Sequence, residues 1–223
     1  MTKLIILDFD GTLGDTRRNI VTTMQMTARA LGLPGRTDDE CAATIGLPLD
    51  GCFEALYPRE CKETILLCTD TYRRIFQANL LTMKPQAFPK VKETLHALKE
   101  QGYTLTIASS RGHDSLSELT RDLGIAEYIT LLIGGDDVEK AKPDPEPVLK
   151  TLSATGCDAS EALVVGDMNV DILMGKNAGA KVCGVTYGNG TKKELEDAGA
   201  DYIIDSLDEL IGLREIATSH SHI

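Results

Sequence analysis

The feature that most constrains this chain is a regular alternation of short apolar runs and helix-length segments from residue 85 onward. Each run is short and continuous, as in strands buried on both faces of a parallel sheet, and the segments between the runs carry helix start and stop signals. The alternation predicts a doubly wound parallel α/β sheet, with a further strand near the N-terminus. The predicted strands are Lys3–Asp8, Tyr103–Ser109, Ile129–Ile133, Ala162–Val165, Val182–Thr186 and Tyr202–Ile204.

The stretch between residues 16 and 83 breaks this alternation. It carries one helix signal after another, including a capping-box pattern of Thr37 with Glu40, and no convincing strand before Tyr103. A helical stretch of about 65 residues is far longer than an ordinary crossover between parallel strands. We therefore predict an α/β core of residues 1–15 plus 84–215, an inserted small all-helical cap of residues 16–83, and a flexible tail of residues 216–223.

Composition excludes several classes of function. The 223 residues include 34 acidic and 23 basic side chains, with a net charge of −11, so the chain lacks the basic surface that a nucleic-acid backbone requires. No apolar stretch approaches the bilayer-spanning length of about 18 residues, and the N-terminus has no signal-peptide pattern. The six cysteines are scattered, as in reduced thiols. We expect a soluble, cytoplasmic protein that binds neither nucleic acid nor membranes.

Four carboxylates follow two of the predicted strands. Asp8 and Asp10 lie in the segment DFDGT after the first strand, and Asp167 and Asp171 lie in GDMNVD after a later one. Ligands of α/β sheets bind at the carboxyl ends of strands, and we expect Asp8 at an exposed strand end. Carboxylates held this close repel each other unless a cation or proton lies between them. The pattern therefore predicts a Mg²⁺ site, because Mg²⁺ prefers oxygen ligands.

A hydroxyl-rich turn and a lysine complete the set of polar signals at strand ends. The turn SSRG at residues 109–112 offers hydroxyl and backbone N–H groups to an anion, although an ordinary serine-rich helix cap is the alternative explanation. Lys142 precedes three prolines at alternate positions, which stiffen its segment. Together, the acidic cluster, a hydroxyl of this turn and Lys142 are the groups needed for phosphoryl transfer through an aspartyl-phosphate.

In their order and spacing these segments resemble the four motifs of the haloacid dehalogenase-like (HAD) superfamily of hydrolases, over essentially the whole chain. Its DxDGT motif is similar to residues 8–12, its Ser/Thr motif to Ser109, its KPxP motif to residues 142–145 and its GDxxxD motif to residues 166–171. The resemblance implies a Rossmann-like core and a mobile helical cap that closes over the site.

The resemblance also implies a role for each motif residue. Asp8 would be the nucleophile, and Asp10 would be the general acid and then the base for the hydrolytic water. Ser109 and Lys142 would bind the transferring phosphoryl group. The implied metal ligands are Asp8, Asp10 through its backbone carbonyl, Asp167 and Asp171. The implied substrate-binding residues are Gly11, Thr12, Ser110, Arg111 and, in a loop of the cap, Gly46.

Within the superfamily, the segment GNG at residues 188–190 and the later AGADYIIDSLDEL resemble the phosphoglycolate phosphatase group, although both are expected to lie away from the leaving group. Asp10 favours ester hydrolysis, in which an alkoxide leaving group must be protonated. We therefore expect a Mg²⁺-dependent phosphatase of a small phosphorylated metabolite, with phosphoglycolate as the best substrate guess. The only partner expected is this small phosphate ester, and the protein is expected to be a monomer or weak homodimer.

Several alternatives stay open at this point. A phosphomutase similar to β-phosphoglucomutase would share the aspartyl-phosphate but return the phosphoryl group to a sugar. Inorganic pyrophosphate or a nucleotide would be hydrolysed by the same groups, because residues of the cap choose the substrate. A scaffold or regulatory protein would have kept the fold and lost turnover, although the intact motif residues argue against it.

Overall fold

A six-stranded parallel sheet forms the centre of the protein, in the computed structural model that describes residues 2–213. Its strand order is β5-β4-β1-β6-β7-β8, so the chain winds outward from β1 in both directions. This confirms the predicted doubly wound α/β class. The strands are β1 (Leu4–Leu7), β4 (Thr104–Ala108), β5 (Leu131–Ile133), β6 (Ala162–Gly166), β7 (Lys181–Val185) and β8 (Tyr202–Ile204).

Two apolar layers cover the faces of this sheet. Successive side chains of a strand point to opposite faces, so Ile5 and Leu7 of β1 join the larger apolar cluster while Leu4 and Ile6 join the smaller one. All four side chains are fully buried, which explains why β1 is a continuous apolar run. The helices that supply the layers are α5 (Val91–Glu100), α6 (His113–Asp122), α7 (Glu146–Thr155), α8 (Asn169–Asn177) and α9 (Lys192–Asp197).

Four helices lie between β1 and α5, as the helical signals predicted. Thr37 caps α2 in a complete capping box, in which its hydroxyl accepts from the Glu40 N–H and the Glu40 carboxylate accepts from the Thr37 N–H at 2.8 Å. The long helices α1 and α4 pack against each other and bury Met24 and Phe76 in the larger apolar cluster. The four are α1 (Arg17–Ala30), α2 (Asp38–Ala42), α3 (Leu49–Leu56) and α4 (Lys62–Asn79).

The expectation of no strand before Tyr103 is wrong. Two short strands, β2 (Gly14–Asp15) and β3 (Gln86–Ala87), pair in an antiparallel ladder where the chain enters and leaves the helical segment. Two-residue strands are too short for a periodic pattern, and only the approach of the two segments in space creates their hydrogen bonds. The predicted division at residues 15–16 and 83–84 lies close to this ladder and stays a prediction.

The other predicted strands differ from the structure only at their edges. The strands predicted at Tyr103–Ser109 and Ile129–Ile133 begin later in the structure, and the first of them also ends one residue earlier. The predicted tail, residues 216–223, lies outside the described residues. Among helices of the described residues, none combines the length and the apolar character that crossing a membrane would require.

Candidate active site

Three neighbouring strands end at one edge of the sheet and bring the predicted site residues together. Leu7 of β1 pairs with Ile107 of β4 and with Val165 of β6, so the residues that follow these strands emerge side by side. Those residues are Asp8 and Asp10 after β1, Ser109 to Arg111 after β4, and Asp167 after β6. The sheet register, rather than nearness in sequence, assembles the site.

A buried carboxylate cluster lies at this edge. Asp8, Asp167 and Asp171 each offer an oxygen atom, and the three oxygens lie within 4.8 Å of one another. The Lys142 ammonium donates to Asp8 Oδ1 at 2.5 Å and to Asp171 Oδ1 at 2.6 Å. The expectation that Asp8 is exposed is wrong: only 7% of it is accessible, because Lys142 and the neighbouring carboxylates pack against it.

The charges of this cluster do not balance without a further cation. Three carboxylates face one ammonium, which leaves two negative charges when all four groups are ionised. Burial raises the pKa of Asp8 well above its usual value, although Lys142 opposes the shift. Burial and the charge of Asp171 raise the pKa of Asp167 to about 7. A divalent cation with oxygen ligands fits both the residual charge and the donor atoms.

The same carboxylates hold Lys142 charged. Burial by itself would lower the pKa of this lysine, but the charges of Asp171 and Asp8 and the hydrogen bonds to them outweigh burial and raise its pKa. Lys142 is therefore a permanent positive charge directly beside Asp8.

The side chain of Asp10 lies apart from this cluster and is paired with Arg111. Arg111 Nε donates to Asp10 Oδ2 at 3.1 Å, and Nη2 donates to Asp10 Oδ1 at 2.7 Å. Nη1 of the same guanidinium donates to Ser115 Oγ at 3.1 Å. The Arg111 Cζ atom lies 4.8 Å from the ring centre of Phe76 in α4. The predicted metal contact of Asp10 was through its backbone carbonyl, so this side-chain position does not test that prediction.

The turn after β4 connects the sheet edge to the inserted helices. Ser109 is buried, and its hydroxyl accepts the Arg111 N–H at 3.2 Å. The Ser110 hydroxyl donates to the carbonyl of Gly46 at 2.6 Å, across the boundary with the helical segment. Gly46 has a φ of +99°, a conformation that side-chain-bearing residues rarely adopt. The predicted substrate-binding residues Ser110, Arg111 and Gly46 are therefore neighbours.

Asp167 is held by Asn189, which the sequence analysis did not assign to the site, and by Thr12, which it assigned to substrate binding. Asn189 donates to Asp167 Oδ2 twice, from its backbone N–H at 2.6 Å and from its side-chain amide at 3.1 Å. Thr12 donates to Oδ1 at 3.2 Å and is fully buried, so its hydroxyl serves Asp167 in this structure. A Cβ at Gly11 or Gly188 would collide with the Asp167 side chain. From the sequence, the GNG segment carries only a resemblance within the superfamily, and the fold brings it to Asp167.

A cavity of about 640 Å³ separates the sheet edge from the inserted helices. Its floor includes Asp8, Asp10, Ser109, Ser110 and Arg111. Gly46 and apolar residues of α1, α3 and α4 face this floor from the opposite side. Gly11 and Thr12 are not among the described residues that line it. A small molecule in the cavity would therefore meet Asp8 at one end and the helical segment at the other.

Fold and site together define an α/β enzyme with its reactive groups at the carboxyl edge of a parallel sheet and a helical insertion facing them. Over residues 5–185 the chain matches the family model described as haloacid dehalogenase-like hydrolase. The chain belongs to this family, which confirms the resemblance seen in the motifs.

Curated relatives and solved structures match over nearly the whole chain. It is 37% identical over 214 residues to "Probable phosphatase IndB" of Dickeya dadantii, with 95% of this chain and 93% of the relative covered. The chain is 33% identical over 208 residues to the pyrophosphatase PpaX of Bacillus velezensis, with 93% of this chain and 94% of the relative covered. The chain is 32% identical over 212 residues to a phosphoglycolate phosphatase of Photorhabdus laumondii, with 94% of this chain and 91% of the relative covered. The crystal structure of a hydrolase from Pseudomonas syringae superimposes with a TM-score of 0.86 at 27% identity, covering 97% and 100%.

Proposed function

We propose that this protein is a Mg²⁺-dependent phosphatase that hydrolyses a small phosphate monoester through an aspartyl-phosphate. The observation that carries the proposal is the buried Asp8 carboxylate, which the Lys142 ammonium contacts at 2.5 Å beside Asp167 and Asp171. A carboxylate nucleophile must attack a phosphoryl group that is itself negatively charged. A fixed ammonium and a cation site next to the nucleophile are the groups that reduce this repulsion.

Two displacements at phosphorus account for the reaction. In the first, an Asp8 oxygen forms a bond to phosphorus, the ester P–O bond breaks, and the alcohol oxygen takes a proton from Asp10. In the second, water attacks phosphorus, its proton goes to Asp10, and the Asp8–phosphorus bond breaks to release phosphate. Asp10 lines the cavity while it is paired with Arg111, and each of its carboxylate oxygens keeps a lone pair beyond the one that Arg111 occupies.

The remaining residues bind and neutralise the phosphoryl group. Ser109, at the end of β4, would donate to a phosphoryl oxygen, and Lys142 would neutralise its charge. Asp167 and Asp171 would hold Mg²⁺ together with Asp8, and the ion when bound would further offset the negative charge of the phosphoryl oxygens. Thr12 and Asn189 would keep the Asp167 oxygens in position for this role.

The names of the relatives favour hydrolysis over transfer to a sugar. Those reported above are named as phosphatases and a pyrophosphatase, and none as a mutase. Phosphoglycolate, favoured by the sequence resemblance, and pyrophosphate both remain substrates to be tested, since the relatives' names divide between them. A phosphomutase would be revealed by phosphorylation of the enzyme from a bisphosphorylated sugar with little free phosphate released.

The proposal is tested by phosphate release from a panel of phosphometabolites and from an activated aryl phosphate, with and without Mg²⁺. We expect Asp8→Asn to abolish release, because an amide cannot form the aspartyl-phosphate. The variant should stay folded, since Lys142 keeps Asp171 as its partner. Asp197→Asn, at an exposed carboxylate paired with Lys193, is the matched control and should retain full activity. Retention of more than a few per cent of release by Asp8→Asn would refute the mechanism, and turnover by the wild type would exclude a pure scaffold.

A further inference from the structure

We infer that the alcohol part of the substrate carries no acid group and is larger than glycolate. This inference rests on the proposed phosphatase function and concerns the end of the cavity opposite Asp8. It thus separates phosphate esters of uncharged, partly apolar alcohols from phosphoglycolate and pyrophosphate, whose leaving groups are anionic.

The first argument is the charge of the cavity wall around the proposed reaction site. Four aspartates line the cavity besides Asp8 and Asp10, and we call them the acidic rim: Asp50 of α3 and Asp70 of α4 from the helical segment, and Asp114 of α6 and Asp136 after β5 from the α/β core. Arg73 is the single basic residue that the described part of the chain places among them, and its guanidinium pairs with Asp70 at 3.2 Å. A wall of one charge sign repels a ligand group of the same sign.

The other arginine of the cavity does not supply a free positive charge. Arg111 is nearly buried and makes two hydrogen bonds to Asp10 and a third to Ser115, while the ring of Phe76 covers its face. No lysine of the described residues lines the cavity. A carboxylate or phosphate at the far end of a substrate would therefore leave water without gaining an unpaired cation, which is unfavourable.

The second argument is the polar and apolar character of the same wall. Tyr72 of α4 lines the cavity with 7% of its surface accessible, and its hydroxyl makes no hydrogen bond to another described residue. Because this hydroxyl faces the cavity and has no partner among the described residues, it is free to bind a hydroxyl or carbonyl group of a ligand. Apolar neighbours surround it in the wall: Ile20, Met24, Leu49, Leu66 and Phe76. Such a wall suits an uncharged alcohol with a hydroxyl or carbonyl group.

The third argument is size. The cavity volume of about 640 Å³ falls within the range of about 300–1,000 Å³ that is typical of sites for drug-sized ligands. Phosphoglycolate has only two carbon atoms, so it would leave most of the apolar wall without contact. An alcohol of the size of a sugar or an aromatic ring would contact more of the apolar wall than glycolate does.

The test compares phosphate esters of nearly equal size and different charge. Three esters share a two-carbon alcohol and differ in the charge at its far end. This end is negative in phosphoglycolate, neutral in 2-hydroxyethyl phosphate and positive in phosphoethanolamine. We expect kcat/KM for phosphoglycolate to be about tenfold or more below that for the neutral ester, because the acidic rim repels its carboxylate. Phosphoethanolamine should equal or exceed the neutral ester, and benzyl phosphate should exceed all three through contact with the apolar wall.

A pair of neighbouring leucines provides a matched charge test. Leu66 lines the cavity with 52% of its surface accessible, whereas Leu67 is 51% accessible and lies outside the cavity lining. Leu66→Lys adds a cation to the wall four residues before Asp70 and offsets part of the acidic rim, so kcat/KM for phosphoglycolate should rise several-fold relative to 2-hydroxyethyl phosphate. Leu67→Lys adds the same charge to the same helix and should leave this ratio unchanged.

Each outcome decides one of two proposals. One outcome is that the wild type hydrolyses phosphoglycolate or pyrophosphate as well as or better than 2-hydroxyethyl phosphate and that Asp8→Asn loses this activity. That result would overturn the inference about the leaving group and leave the phosphatase function standing. An unchanged ratio in Leu66→Lys would also overturn it. Release of phosphate from none of the esters would overturn the phosphatase function and, with it, this inference.

Discussion

Both carboxylate oxygens of Asp10 accept hydrogen bonds from the guanidinium of Arg111, at 3.1 Å and 2.7 Å. The pair is almost buried, with 9% of the Arg111 side chain and 13% of the Asp10 side chain accessible, and Phe76 of α4 covers the guanidinium. The residue proposed as general acid is thus tied to a cation that contacts the inserted helices. Both residues of the pair line the cavity, so a substrate meets Asp10 in its paired position beside Arg111.

Loss of Arg111 should destabilise the protein strongly. Arg111→Met leaves the buried Asp10 charge without its partner, and breaking such a pair by removing one member costs about 3–5 kcal/mol. We expect a decrease of about 3 kcal/mol in the free energy of unfolding, measured by denaturant titration. Arg73→Met is the matched control: its pair with Asp70 is exposed on both sides, so its loss should cost less than about 1 kcal/mol. Similar losses in the two variants would show that the Asp10–Arg111 pair is not structural.

Replacement of Asp10 should separate substrates by the basicity of their leaving groups. The leaving group of an alkyl phosphate is a strongly basic alkoxide, whereas the leaving group of an activated aryl phosphate is a weakly basic phenolate. General acid catalysis is worth about 10²–10⁴-fold, and this benefit shrinks as the leaving group becomes less basic. Asp10→Asn should therefore slow the pre-steady-state burst much more for alkyl than for activated aryl esters. Equal losses for both classes would make Asp10 a structural residue and remove the acid–base part of the mechanism.

Asp167→Ala should weaken Mg²⁺ binding more than it disturbs folding. The variant removes one of three buried carboxylates that are close enough to share a cation, so the Mg²⁺ concentration for half-maximal activity should rise by at least about tenfold. The rise in thermal stability on adding Mg²⁺, which is large when a ligand binds only the folded state, should shrink in parallel. An unchanged Mg²⁺ dependence in both measurements would exclude Asp167 as a ligand.

Asn189→Ala should affect the same measurements without removing a carboxylate. The side-chain amide of Asn189 donates to Asp167 Oδ2 at 3.1 Å, and residues that orient metal ligands typically account for about 10–100-fold in metal affinity. We expect a rise of about tenfold in the Mg²⁺ concentration required, with a smaller effect on the free energy of unfolding. Gln86→Ala, at an exposed residue of β3, is the control and should leave Mg²⁺ binding unchanged. Wild-type Mg²⁺ affinity in Asn189→Ala would remove Asn189 from the support of the site.

Much of the fold and part of the site follow from local sequence. The continuous apolar run at β1 requires burial on both faces, and β1 is fully buried at the centre of the sheet. The capping residue Thr37 acts where its spacing to Glu40 predicted. The acidic and hydroxyl residues that follow the strands do meet at one edge, because parallel strands carry their carboxyl ends to the same side. The roles assigned to these residues stay predictions.

Contacts between distant segments depend on the tertiary structure. The burial of Asp8 results from Lys142, which lies 134 residues further along the chain, so the strand-end pattern alone suggested exposure. The pairing of Asp10 with Arg111 depends on the register between β1 and β4. Hydrogen bonds, ion pairs and cavity walls depend on distances of a few ångströms between such segments. Periodicity and motif spacing therefore determined the class of fold and the residues at the sheet edge, whereas only three-dimensional packing decided their burial, their partners and the charge facing a substrate.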